Sequence, residues 1–128
     1  MKVHKGEIAM DMLEDAIDLH YKTRYLSCVH LSAAASELLS GLCEINGFES
    51  STQKLKQMVK DFYDSDSSFF SKPKVAIKRF NYPKNAIKHI DGVKDQYAYL
   101  SPESLSKMYI HQCQKMLAQF GLCLLKRL

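Results

Sequence analysis

A chain of 128 residues and 14.7 kDa buries roughly 65–70% of the surface its unfolded form exposes, enough for a core without disulfide or metal staples. Apolar residues at 46% and charged residues at 25% exclude a wholly disordered chain, and 5 Gly with 3 Pro are too few for an all-β sandwich. The net charge of +4 hides a division: residues 1–66 hold 7 Lys/Arg against 11 Asp/Glu, and residues 67–128 hold 11 against 3. Between Asp66 and Asp91 lie Lys72, Lys74, Lys78, Arg79, Lys84 and Lys88 with no acid. Such a cluster creates a local positive potential suited to phosphate groups. It is equally a solvated basic face, or one that pairs with the acidic Glu7, Asp11, Glu14, Asp15 and Asp18 of the same or a second subunit. No apolar run reaches the roughly 18 residues of a membrane span, and no signal-peptide core follows the start, so the expected location is cytoplasmic, away from any membrane.

The apolar spacing is helical almost throughout. From Glu7 to about Tyr21, the residues Ile8, Met12, Leu13, Ala16, Ile17 and His20 or Tyr21 recur three or four apart and predict one buried stripe. Lys22, Thr23 and Arg24 read as a short connection. A second helix is predicted from about Tyr25 to Asn46, stopping at Gly47. Its centre, Ser32-Ala33-Ala34-Ala35-Ser36, is small enough to let other helices approach closely, which marks it as the central helix.

A third helix is predicted from Ser51 or Thr52, both good caps, through Leu55, Met58, Val59 and Phe62 to a polar break at Asp64–Ser68, after which Phe69 and Phe70 can dock the chain. A fourth helical region spans about Lys74 to Ile90. Pro83 removes a backbone donor within it, so a kink or a restart with Asn81 near the new cap is expected before Asp91-Gly92 ends it. Residues 93–100, with Tyr97 and Tyr99, read as a loop. The last helix has the clearest start: Ser101 at the cap, Pro102 in the first position and Glu103 near the positive end of the dipole. Leu105, Met108, Tyr109, Gln112, Cys113, Met116, Leu117, Phe120 and Leu124 carry its stripe on, and Lys126 and Arg127 suit its negative end. The expected fold is all-α, a single-domain up-and-down bundle of about five helices over residues 1–128.

Cys28, Cys43, Cys113 and Cys123 form no Cys-x-x-Cys pair and sit among apolar neighbours, which points to buried free thiols rather than a zinc or disulfide framework. Glu37 is expected to face solvent, and His30 to be a half-buried, hydrogen-bonded residue. His20 and His111 have no partner at a metal-ligand spacing, and no metal or cofactor motif is present. Tyr97 and Tyr99 beside the basic helix can stack on bases or simply pack locally.

The informative stretch runs from Arg79 to His89. On a helix Lys84, Lys88 and His89 share a face, and Asn85 and His89 are i,i+4 neighbours. A histidine titrates near neutral pH, a lysine holds a phosphate and an asparagine orients a hydroxyl, a set that suits metal-independent RNA cleavage. A histidine near a helix C-terminus is also favoured by the dipole with no chemical duty.

The small-residue second helix, the polar break, Lys84-Asn85-Ala86-Ile87-Lys88-His89 and the long final helix together resemble HEPN (higher eukaryotes and prokaryotes nucleotide-binding) domains. More narrowly they resemble small bacterial proteins of that type, where Arg-Asn-Ala-x-Lys-His occupies the same place. The resemblance covers most of the chain in layout, and its specific part is residues 84–89. It implies a homodimer whose two copies meet at one cleft, an RNA or nucleotide ligand, ribonuclease activity of the toxin kind, and a cognate antitoxin or nucleotidyltransferase-like partner. Asn85 matches the family's polar position and His89 its histidine, while Lys84 stands where the family has Arg. Lysine offers a point charge in place of a planar fork. The implied catalytic set is His89, Lys84 and Asn85, with Lys88, Arg79 and Lys78 as binding residues. The alternative is a non-catalytic helical module for dimerisation or protein docking.

Overall fold

The computed structural model describes residues 1–65 and 73–121, without the side chains at 62–65, 73–76 and 79. It contains five helices: α1 (Lys5–Tyr21), α2 (Tyr25–Ile45), α3 (Ser51–Ser65), α4 (Pro73–Ala86) and α5 (Pro102–Gln119), with no strand among the described residues. The all-α bundle of five helices expected from the apolar spacing is therefore what the chain forms. The stretch from Asp66 through Phe69, Phe70 and Lys72 lies outside the described residues, as do Cys123, Leu124, Lys126 and Arg127.

The chain divides into two compact units, Met1–Ser50 with Leu100–Leu128, and Ser51–Tyr99. In the first, α2 packs against both α1 and α5, and α1 touches α5. The core joins Ala9, Leu13, Ala16 and Ile17 of α1 to Cys28, Ala35, Leu39 and Cys43 of α2 and Ile110, Cys113, Met116 and Leu117 of α5. Among the described helices α2 alone is long and apolar enough, by length and composition, to cross a membrane. Nine of its residues are instead buried in the bundle.

The small centre of α2 works as its composition predicts. Ser32, Ala33, Ala35, Ser36 and Ser40 are all buried, and each serine hydroxyl has a partner. Ser32 donates to its own helix, at the Cys28 carbonyl (2.7 Å), Ser36 to Gln112 Oε1 (3.3 Å) and Ser40 to Met116 Sδ (3.5 Å). Because Ser36, Ser40 and Cys43 meet Gln112, Met116 and Gln119 in the same order, α5 runs parallel to α2. A Cβ on Gly6 would lie 3.6 Å from Leu42, so the start of α1 faces the end of α2 and the α1–α2 hairpin is antiparallel. The direction of α5 is a tertiary fact that the helix pattern does not carry.

Helix ends follow backbone chemistry more than side-chain caps. At the start of α1 the His4 ring accepts the Gly6 N–H (2.9 Å), a cap that the sequence pattern does not announce. Ser101 holds the cap position of α5, but its side chain makes no capping bond there, and its carbonyl accepts from Leu105 N–H (3.0 Å). The end of α2 is closed by two reversed bonds, Phe48 N–H to the Cys43 carbonyl (2.8 Å) and Gly47 N–H to the Glu44 carbonyl (3.3 Å), with Gly47 at φ 75°. This turn lays Phe48 edge-on against Phe120, ring centroids 4.7 Å apart. It is tied down by Gln119, whose amide donates to the Glu49 carbonyl (2.6 Å) and accepts the Glu49 N–H (3.0 Å).

Two stripes are rotated relative to the sequence pattern. On α1 the buried positions are Ala9, Leu13, Ala16, Ile17 and His20, while Ile8 and Tyr21 are exposed. On α5 the stripe runs through Ser106, Tyr109, Ile110, Cys113, Met116 and Leu117, and α5 ends at Gln119 because Gly121 turns the chain at φ 71°. In the second unit α3 packs on α4. α3 continues through Asp64 to Ser65, past the first residues of the expected polar break.

α1 ends with the same two reversed bonds as α2, Arg24 N–H to the Leu19 carbonyl (2.9 Å) and Thr23 N–H to the His20 carbonyl (3.0 Å), but here Thr23 occupies the left-handed position at φ 61°. A β-branched residue there costs about 1–2 kcal/mol of local strain. Glycine removes that strain and returns part of it as unfolded-chain entropy. Thr23→Gly is therefore expected to stabilise the protein by about 0.5–1 kcal/mol and raise Tm by roughly 2–5 °C. Thr23→Val, which keeps the branch, should gain nothing. Thermal melts of the two variants beside the parent check this.

Candidate functional site

α4 starts on Pro73, where a missing N–H is harmless, and runs unbroken through Pro83 to Ala86. Pro83 therefore neither splits the helix nor restarts it at Asn81. The bond lost at Pro83 is followed by less than one further turn of helix, and α4 stops four residues earlier than the apolar spacing suggested. Lys88 and His89 lie beyond the helix, in a turn in which both backbone N–H groups reach the Asn85 carbonyl, at 3.1 and 3.2 Å. The shared helical face expected for Lys84, Lys88 and His89 is thus corrected: Lys84 and Asn85 sit in the last turn of α4, and His89 is held one turn on by its backbone.

At about 100° per residue, positions 78, 82 and 85 fall on one side of α4, and the His89-to-Asn85 backbone bond extends the i,i+4 relation to His89. Lys78, Tyr82, Asn85 and His89 are all exposed, whereas Lys84 and Lys88 are half-buried and engaged in other interactions. Position 79 is about 140° round the helix from position 84, and the Arg79 side chain is outside the described set. The structure thus places Lys78 and Asn85 on one exposed side of α4, with exposed His89 in the turn beyond the end of that row, and leaves Lys84 to one side of it. Tyr82 joins that row, and its hydroxyl accepts the Tyr99 N–H (3.3 Å). Sequence reasoning treated Tyr97 and Tyr99 as a loop near the basic helix and did not find the Tyr82 link, for which an i,i+4 count from Lys78 was the available signal.

A second polar group lies in the first unit, inside the bundle. His20 Nδ1 and Ser106 Oγ are 2.6 Å apart, both buried, and Ser106 Oγ also donates to the Glu103 carbonyl at 2.8 Å. Since the hydroxyl has one proton, a donation to Glu103 leaves His20 donating through Nδ1–H. Ser106 is then an acceptor from the ring, the reverse of an activated nucleophile. The ring is also packed against Tyr25, centroids 5.3 Å apart. The arrangement fixes α1 to α5.

The three described cysteines are buried free thiols, as expected. Burial raises the Cys28 pKa, partly offset by the neighbouring Ser106 and Ser32 side chains. Burial and then the Glu44 carboxylate raise Cys43. Cys113 is pushed up to about 12, first by burial. None is a thiolate near neutral pH, so none is a nucleophile. No cluster of His, Cys, Asp or Glu among the described residues can hold a metal ion. Glu37 is exposed, as expected, and so is His30, which is not the half-buried residue its position on α2 suggested, because it sits opposite the small-residue face. His111 is exposed on α5 between Lys107 and Lys115, beside Met108, Ser104 and Gln112, on the wall of a surface groove.

No family model, curated protein or solved structure matches the chain.

The raised Cys113 pKa has a signed consequence. In the unfolded chain the thiol ionises near 9.0, and in the fold only near about 12. Its contribution to stability is therefore complete below pH 9 and declines as pH climbs toward 12, by at most about 1.4 kcal/mol per pH unit. In chemical denaturation series from pH 8 to pH 10.5, Cys113→Ala should show a shallower loss of stability than the parent. Equal slopes would mean that the thiol titrates freely.

Proposed function

We propose that the Ser51–Tyr99 unit carries a binding surface for RNA or another phosphate-bearing ligand, served by Lys78, Arg79, Lys84, Asn85, Lys88 and His89, in a HEPN-like helical protein. The observation that carries this reading is the exposed row Lys78–Tyr82–Asn85–His89 within a stretch that has no acid between Asp66 and Asp91. A stretch of lysines with no acid in its sequence carries a net positive potential that draws a phosphate. The HEPN resemblance of residues 84–89 adds a homodimer and a cognate antitoxin or nucleotidyltransferase-like partner to the same proposal.

In its active form the surface cleaves RNA without a metal. His89 takes the proton of a 2′-hydroxyl, the freed oxygen attacks the adjacent phosphorus, and the bond to the 5′-oxygen breaks as that oxygen takes a proton from water. The products are a 2′,3′-cyclic phosphate and a 5′-hydroxyl. Lysine charge offsets the extra negative charge on the phosphorus centre, and Asn85, one backbone hydrogen bond from His89, orients the reacting group. A second reading, a protein-docking module, is favoured by Ile90 and Val93, which are 77% and 84% exposed.

Purified protein incubated with end-labelled RNA in chelator is expected to cleave it, with His89→Ala at least about 100-fold slower at unchanged Tm. Lys84→Arg, which restores a phosphate fork, should cleave faster than the parent. Intact RNA with all three proteins removes the catalytic part of the proposal. Binding is tested separately by its salt dependence. About three phosphate contacts to a single strand predict a roughly 20-fold loss of affinity from about 50 to about 200 mM salt. A flat salt response removes the phosphate reading.

A further inference from the structure

The described surface of the second unit exposes four aromatic rings within twenty residues: Phe80 at 38%, Tyr82 at 40%, Tyr97 at 79% and Tyr99 at 83%. Single exposed apolar residues are ordinary, but tyrosines as open as Tyr97 and Tyr99, on a segment bonded to the Lys78 side of α4, are not; Phe80 lies on the other side of that helix. Tyr97 and Tyr99 do not pack locally, the fate of most loop tyrosines. The segment that bears them is pinned to α4 by the bond from Tyr99 N–H to Tyr82 Oη, so its tyrosines stand next to the Lys78–Asn85–His89 row rather than at an unrelated place. The Cα atoms of Tyr97 and Tyr99 are at most about 7 Å apart, about twice the 3.4 Å rise of stacked bases.

We infer that Tyr82, Tyr97 and Tyr99 form a base-stacking platform and that the ligand of this surface is single-stranded nucleic acid, read by cations along its backbone and rings on its bases. The inference rests on the phosphate-binding reading of the same surface and adds a base subsite to it. A duplex offers phosphates but hides the faces of its bases, and inorganic polyphosphate has no bases. Stacking is indifferent to which base is bound, so the platform gives preference for unpaired strand over duplex without reading sequence. The net positive charge of residues 78–99, five Lys/Arg against Asp91 and Asp95, is what favours a polyanion over an apolar protein segment as their occupant.

The test is fluorescence anisotropy at low salt with four probes: a labelled 2′-O-methyl oligouridine of about 12 nucleotides, which cannot be cleaved, an oligothymidine of the same length, a duplex of the same length, and inorganic polyphosphate as competitor. Tyr97→Ala/Tyr99→Ala is expected to bind both single strands at least about tenfold more weakly than the parent. Tyr97→Phe/Tyr99→Phe, which keeps both rings, should stay within about threefold. Polyphosphate should compete equally well against each protein's residual binding. The rings are almost fully exposed, so matching circular dichroism melts are expected for all three proteins. A tighter ribose than deoxyribose strand assigns the ligand to RNA, and the reverse to DNA. If the single strands bind with unchanged affinity after Tyr→Ala, or no better than the duplex, the platform is wrong while the phosphate reading stands. If no probe binds at low salt, both are wrong and the rings belong to a protein interface.

Discussion

The close approach allowed by the small face of α2 governs the rest of the structure. Ser32, Ala33, Ala35, Ser36 and Ser40 let α1 and α5 close on one helix, and every hydroxyl that this buries is satisfied, one by its own helix and two by α5. Were those hydroxyls unpaired, each would cost about 1–3 kcal/mol, which would offset much of the core's gain. Close packing also fixes the sense of α5. Because α5 runs parallel to α2, a helix of 21 residues, the chain after Asn46 must return roughly 30 Å before Ser101. The long excursion between α2 and α5 is a consequence of that parallel pairing, and the candidate site is carried on it.

What the sequence made legible is what depends on local period and local caps. The existence of five helices, the central place of α2, the burial of Cys28, Cys43 and Cys113, and the stop at Gly47 all follow from spacing and from a residue that tolerates positive φ. The rotation of the α1 and α5 stripes by about one residue was not legible, because Ile8 and Ala9 differ in apolarity but not in period. Ala9 is chosen since a small residue fits the narrow gap to α2. The His20–Ser106 bond joins residues 86 apart, and neither side chain alone predicts it. Burying a histidine ring is acceptable there because Ser106 meets its nitrogen and Tyr25 covers its face.

The candidate site was half legible for a similar reason. Asn85 and His89 were visible as an i,i+4 pair, and that relation is present, although it is supplied by a turn rather than by continued helix. Which lysine joins them was not visible, because it depends on how far α4 runs and how it is rotated. With Pro83 inside the helix and the helix ending at Ala86, the exposed row passes through Lys78 and Tyr82 and leaves Lys84 half-buried. The family pattern would give the Lys84 position the leading charge. On this surface the exposed lysine of the row is Lys78.

That exchange bears on how such a surface could hold a ligand. An exposed cation acts through water, and at physiological salt its field decays over about 8 Å, so Lys78 steers a polyanion without fixing it. A lysine is also a point charge, which does not set the orientation of a phosphate as an arginine fork does. Orientation has to come from groups with directional surfaces, and the groups of that kind beside the row are the rings of Tyr82, Tyr97 and Tyr99, with Asn85 as a hydrogen-bonding partner. A surface that orients its ligand by rings, without an arginine fork, should depend more on unpaired bases and less on charge for its affinity. His89 stands one backbone hydrogen bond from Asn85, in the turn that follows α4, so its place depends on where that helix ends.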